Sequence, residues 1–226
     1  NQNYQSLDGV LYTKGLTHLA TSPQAKKAGG HYPVAEGTHT IDEGAFSYAQ
    51  ITYVTLPATL RHVEKAAFVG SQVTSLTLPD DCESMDNMAF WNKHKLTCVD
   101  LGGTKLLPDS AFRYNRELAE VNFLPDLNRL TRVGDYAFED APITSVTLPE
   151  SVTSIGTFAF NDNSSLTRLH LGSGRTSIGE GAFVGATSLT SLTVARANRV
   201  YSVDGGVLYQ KSIGGKLLVL SLPTNG

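Results

Sequence analysis

Residues Ile143–Phe160 read ITSVTLPESVTSIGTFAF, a stretch that decides the fold because it recurs along most of the chain. It closes on Ala159-Phe160, and the same pair stands at Ala45-Phe46, Ala67-Phe68, Ala89-Phe90, Ala111-Phe112, Ala137-Phe138 and Ala182-Phe183. Successive pairs are 22, 22, 22, 26, 22 and 23 residues apart. A fixed period of this length marks a solenoid.

Four residues before each Ala stands an apolar side chain, as at Ile41, Val63, Met85, Leu107, Val133, Ile155 and Ile178. Between one pair and the next lies a short run such as ITYVTL from Ile51, LTCVDL from Leu96 or LTRLHL from Leu166. Its first, fourth and sixth residues are apolar, and its third and fifth are mostly hydroxylic or charged. That alternation predicts a strand with one buried and one wet face, stopped where Pro follows because Pro donates no amide. A single unit of this size cannot bury its own apolar face, so stacking is required, with the seven Phe rings forming one core along the axis.

The pattern LTSLTLP followed by VTSIG and AF resembles the BspA-like leucine-rich repeat family of bacterial surface proteins, over roughly Thr40 to Val194. The resemblance implies a β-rich, right-handed leucine-rich-repeat solenoid. A parallel strand ladder is expected on its concave side, with short strands or turns of helix opposite. Family copies often carry Cys three residues after the Phe. Here those positions are Ala49, Ser71, Lys93, Asn115, Ala141, Asn163 and Ala186, small or polar residues expected to close the same turn.

Three segments follow. Residues 1–39 form an N-terminal hairpin module and loop, 40–194 the seven repeats, and 195–226 a C-terminal hairpin module that breaks off. The hairpins are read from YQSLDGVLYTKG at Tyr4–Gly15 and YSVDGGVLYQKS at Tyr201–Ser212, where glycine accepts the positive φ of a tight turn. The chain begins at Asn1 and stops at Gly226, so an exported fragment of a longer protein, its signal segment removed, is expected. The 26-residue spacing places about three extra residues within 124–132, read as loop slack ahead of a binding feature.

A formal net charge of -3 with 17% charged residues gives no basic footprint for nucleic acid. No apolar run approaches the roughly 18 residues that cross a bilayer. Cys82 takes a core position and Cys98 the open strand face, so two free thiols are expected. The acidic group Asp80, Asp81, Glu83 and Asp86 reads as a solvated turn ahead of a calcium loop, whose ligand spacing it lacks. His94 with Cys98 supplies too few ligands for zinc. Gly179-Glu-Gly181 belongs to the repeat rather than to a phosphate loop, and Asn163-Ser164-Ser165 fits a glycosylation acceptor only in form. No cofactor, no metal and no catalysis are expected.

The repeat supplies a surface instead. Seven strands about 4.8 Å apart present a strip of about 30 Å. Against its Ser/Thr background stand Tyr53, Asp100, Glu120, Asn122, Arg168 and His170, the expected partner-binding residues. Trp91, beside Lys93, His94 and Lys95, is a second candidate, with packing beneath a loop equally open to it. The resemblance implies a monomeric, extracellular adhesion module for a host or bacterial surface protein or glycan. The alternative is a spacer that displays another domain.

Overall fold

The computed structural model describes residues 2–22, 30–92, 95–123, 129–174, 176–212 and 215–221, and contains no helix among them. Each repeat lays down three segments, and strands pair with their counterparts in the next repeat except between Ser84–Met85 and Leu106–Leu107 and between Glu120–Asn122 and Ser145–Thr147.

The first segment is the strand foreseen from the alternating runs. Strands at His31–Pro33, Tyr53–Thr55, Ser75–Thr77, Cys98–Asp100 and Glu120–Asn122 form a five-stranded parallel sheet. A second sheet holds Ser145–Thr147, Arg168–Leu171 and Ser191–Val194. The expected single strip is therefore two sheets of parallel strands. They abut after Asn122, at the repeat with the 26-residue spacing, where Thr144 N–H still donates to the Ala119 carbonyl at 3.1 Å. Of the extra residues themselves, 124–128 lie outside the described residues; Leu130 is back in the core.

The second segment is a two-residue strand ending on the periodic aliphatic, from Thr40–Ile41 to Ser177–Ile178. Short strands therefore stand where turns of helix were the other expectation. The third is the Ala-Phe turn. Here the Phe N–H donates to the Ala carbonyl of the next repeat, as from Phe46 to Ala67 at 2.7 Å and from Phe138 to Ala159 at 2.8 Å. In all seven repeats the residue before the Ala and the second after the Phe have positive φ. Several are bulky, among them Met88, Tyr114, Tyr136 and Phe158, for which left-handed backbone costs about 1 to 2 kcal/mol each. The next repeat repays part of that cost. Tyr136 stacks on Phe158 at 5.5 Å, and the Phe158 ring lies over Gly181, where any Cβ would run into it.

At the centre the seven Phe rings stack, with centroids 4.9 to 5.4 Å apart and planes within 19°. Tyr32 closes one end against Phe46 and shares a buried 2.7 Å hydrogen bond with Tyr12 of the N-terminal hairpin. Burial and that neighbour push the pKa of the Tyr32 hydroxyl far above its ordinary value. The turns after the Phe are closed as expected. Asn115 donates to the carbonyls of Phe90 and Phe112, and Asn163 to that of Phe138. Asn163 is buried, so its glycosylation sequon is closed in the fold.

Both hairpins form, around Asp8-Gly9 and Gly205-Gly206. The N-terminal one is continuous with the array: His18–Thr21 pairs parallel with Thr40–Ile41, and His31–Pro33 adds a strand ahead of Tyr53. The segment read as a connecting loop thus carries an eighth strand of the first ladder.

Replacing Phe138 by Ala removes stacking on both neighbours and should cost about 3 to 5 kcal/mol in denaturant titration; a change under about 1 kcal/mol would place the ring outside the core. Conversely, Ala66→Gly relieves a left-handed alanine at φ 55° and should stabilise the chain by about 1 kcal/mol, read as a raised Tm. Both cysteines are unpaired, and burial raises the Cys82 thiol to about 11. In the folded chain an alkylating reagent should modify Cys98 and spare Cys82.

Candidate functional site

Side chains on a strand face are positioned by pairing register. The inward residue of each long strand (Tyr32, Val54, Leu76, Val99, Val121, Val146, Leu169, Leu192) is buried in all eight. The flanking residues form two outward columns. One runs His31, Tyr53, Ser75, Cys98, Glu120, and resumes as Ser145, Arg168, Ser191. The other holds Thr77, Asp100 and Asn122, and then Thr147, His170 and Thr193.

All six residues expected on this face are there. Glu120 and Asn122 stand on the last strand of the first sheet, and Arg168 and His170 on the middle strand of the second, beside Ser145 and Thr147. Glu120, Asn122 and Arg168 are exposed, and His170 shares a 2.9 Å hydrogen bond through Nδ1 with the Thr193 hydroxyl. Asp100 turns partly to structure, its carboxylate accepting the Gly102 N–H at 3.1 Å. The face is polarised along its length: Asp100 and Glu120 make its middle acidic, while Arg168 and, just past the last strand, the exposed Arg196 make the far end basic.

Tyr53 stands apart from that group, three strands from Glu120. The residue is 48% exposed and its ring packs at 4.9 Å against His31, whose Nε2 lies 2.7 Å from the Thr55 hydroxyl. Beside it opens a groove of about 710 Å³ between the strand face, the Pro79–Asp81 turn and Arg129. Arg129 crosses two repeats to donate to the Asp80 carbonyl at 2.6 Å. Sequence reading missed both His31 and Arg129. His31 lies one 22-residue period before Tyr53, a signal hidden by the Gly- and Lys-rich context; nothing local announces that Arg129 reaches across two repeats.

Trp91 is half-buried, its ring meeting Tyr114 edge-on at 6.3 Å. Arg113 sits over the rings of Tyr114 and Tyr136 at 4.5 and 4.7 Å and pairs with Glu139. This cluster stitches neighbouring repeats together on the turn side, away from the strand face. Lys93 and His94 lie outside the described residues, and so does the His94–Cys98 pairing. In the acidic group, Asp81 meets Arg61 at 3.4 Å and Asp86 meets His62 at 3.6 Å. Among the described residues no three metal-ligating side chains converge, and no helix is long and apolar enough to cross a membrane. The titrating groups with displaced pKa values, Tyr32, Cys82 and Tyr201, are all pushed upward, chiefly by burial.

No curated protein matches the chain. Among solved structures it is similar to a leucine-rich repeat protein from Eubacterium ventriosum (TM-score 0.75, 22% identity, 96% of this chain and 55% of that one). It is also similar to the pneumococcal vaccine antigen PcpA (0.55, 16%, 93% and 54%) and to a leucine-rich repeat protein from Bacteroides ovatus (0.51, 16%, 85% and 69%). At these identities the likeness is one of fold, and the chain spans little more than half the length of the Eubacterium protein. The profile of the BspA type leucine rich repeat region matches in six copies across residues 39–131 and 104–213. With most of its length inside that match and its three ladders built from the same repeat, the chain belongs to the BspA type leucine-rich repeat family.

Proposed function

We propose that the protein is a non-enzymatic binding module of a bacterial cell surface, presenting its long-strand face to a surface protein or glycan outside the cell. The observation that carries this reading is the register that turns Glu120 and Asn122 outward on the last strand of the first sheet and Arg168 and His170 outward on the middle strand of the second. They stand on a rigid frame, since every strand beneath them is anchored by a buried aliphatic. Such a preorganised surface loses little conformational entropy when a partner docks. Opposed charges along one face also favour a single orientation of an extended partner. Membership of a repeat family, whose stacked strands offer an extended surface to a partner, supports a role in binding rather than catalysis.

The test is a binding screen of the purified chain against matrix proteins, mucins and glycans, with the variant Glu120→Ala/Arg168→Ala/His170→Ala run alongside. A selective partner should bind the parent chain and lose about tenfold or more in affinity in the variant, while Tm stays unchanged. Partner binding that the variant retains would move the site off this part of the face. Absence of any partner would favour the spacer role.

A further inference from the structure

We infer that the groove beside Tyr53 is a subsite for a neutral saccharide, an inference that rests on the binding-module reading and adds to it a ligand class and a separate set of residues. The groove's volume of about 710 Å³ falls in the range of about 300–1,000 Å³ typical of small-ligand sites. Its surfaces are of two kinds. Half-exposed Tyr53 offers its ring, held in place by His31 packed at 4.9 Å, and an aromatic face of that kind stacks against the apolar C–H face of a sugar ring.

Around the ring stand groups that exchange hydrogen bonds with hydroxyls. The Thr55 and Thr77 hydroxyls rise from the strand floor. Among the described residues the Asp80 carboxylate has no partner, and Asp81 is held by Arg61 at 3.4 Å. Arg129 commits one N–H to the Asp80 carbonyl at 2.6 Å, and a guanidinium has five to give. Carboxylates accept from hydroxyls and guanidinium donates to them, so a polyol satisfies both walls at once.

Charge selects among the possible occupants. A cationic peptide side chain drawn to Asp80 and Asp81 meets Arg129, and an anionic sugar drawn to Arg129 meets the two aspartates; juxtaposed like charges count against both. A neutral, hydroxyl-rich ring meets neither penalty.

The experiment is isothermal titration of the full chain with maltopentaose, cellopentaose and chitopentaose as neutral probes, against pentalysine and a heparin pentasaccharide as charged ones. At least one neutral probe should bind. Tyr53→Ala should weaken it about tenfold, Tyr53→Phe should preserve it, and Arg129→Ala and Asp80→Asn should each weaken it severalfold, all with unchanged Tm. The Glu120/Arg168/His170 triple variant should bind it like the parent. The inference is overturned if no neutral probe binds at millimolar concentration, if a charged probe binds more tightly, or if the triple variant loses the sugar while Tyr53→Ala keeps it. The broader reading has its own fate: a protein partner lost in the triple variant upholds it even where every sugar fails.

Discussion

An interior ring of the phenylalanine ladder has no pocket within its own repeat; it is buried between another ring about 5 Å above it and another below. That dependence makes neighbouring repeats obligatory partners and gives the axis its rise. Backbone hydrogen bonding follows the same rise in all three segments, and side chains copy it: Thr74, Thr97, Thr167 and Thr190 each donate to a carbonyl of the preceding repeat. Stability in such an array is a sum of nearest-neighbour terms, so its ends need closure. Tyr32, bonded to Tyr12, supplies it at one end.

The Ala-Phe turn is where the repeat concentrates its strain. Left-handed backbone before the Ala and after the Phe recurs in every copy, with the Phe amide between them bonded along the axis. Bulky residues accept those conformations where the next repeat gives their side chains something to lie on, as Tyr136 has Phe158 and Phe158 has Gly181. The half-exposed aromatics of the turn side, Trp91 included, are thereby bound into the structure. The long-strand face is left as the surface whose composition is free to vary.

That freedom is visible in how the face is divided. The ladder changes sheet after Asn122, which separates Tyr53, Asp100, Glu120 and Asn122 from Arg168 and His170. Around Tyr53 aromatic, hydroxylic and oppositely charged groups converge on a groove; toward Arg168 the face is open and basic. A partner long enough to span both would meet two chemistries on one rigid support.

Periodicity alone determined the solenoid, the strand positions, the buried Phe ladder, the core placement of Cys82 and the outward placement of all six candidate side chains. These depend on a residue's place within its own repeat, and alternation along a strand assigns a face whatever lies beyond. That a small or polar residue closes the turn three positions after the Phe was implied by the family resemblance; that Asn115 and Asn163 do so through the Phe carbonyls is seen only in the structure. What the tertiary structure alone decided involves contacts between repeats or backbone states that no residue type encodes. The strand at His31–Pro33 forms because a partner edge at Tyr53–Thr55 receives it. The division of the ladder appears only once the strands are paired. Arg129 joins the Asp80 carbonyl 49 residues away, and left-handed φ falls on Ala, Met, Tyr and Phe, residues that avoid it in isolation. Each is settled by what the neighbouring repeat presents, because in a stacked array the environment of a side chain is built as much by the copies above and below as by its own.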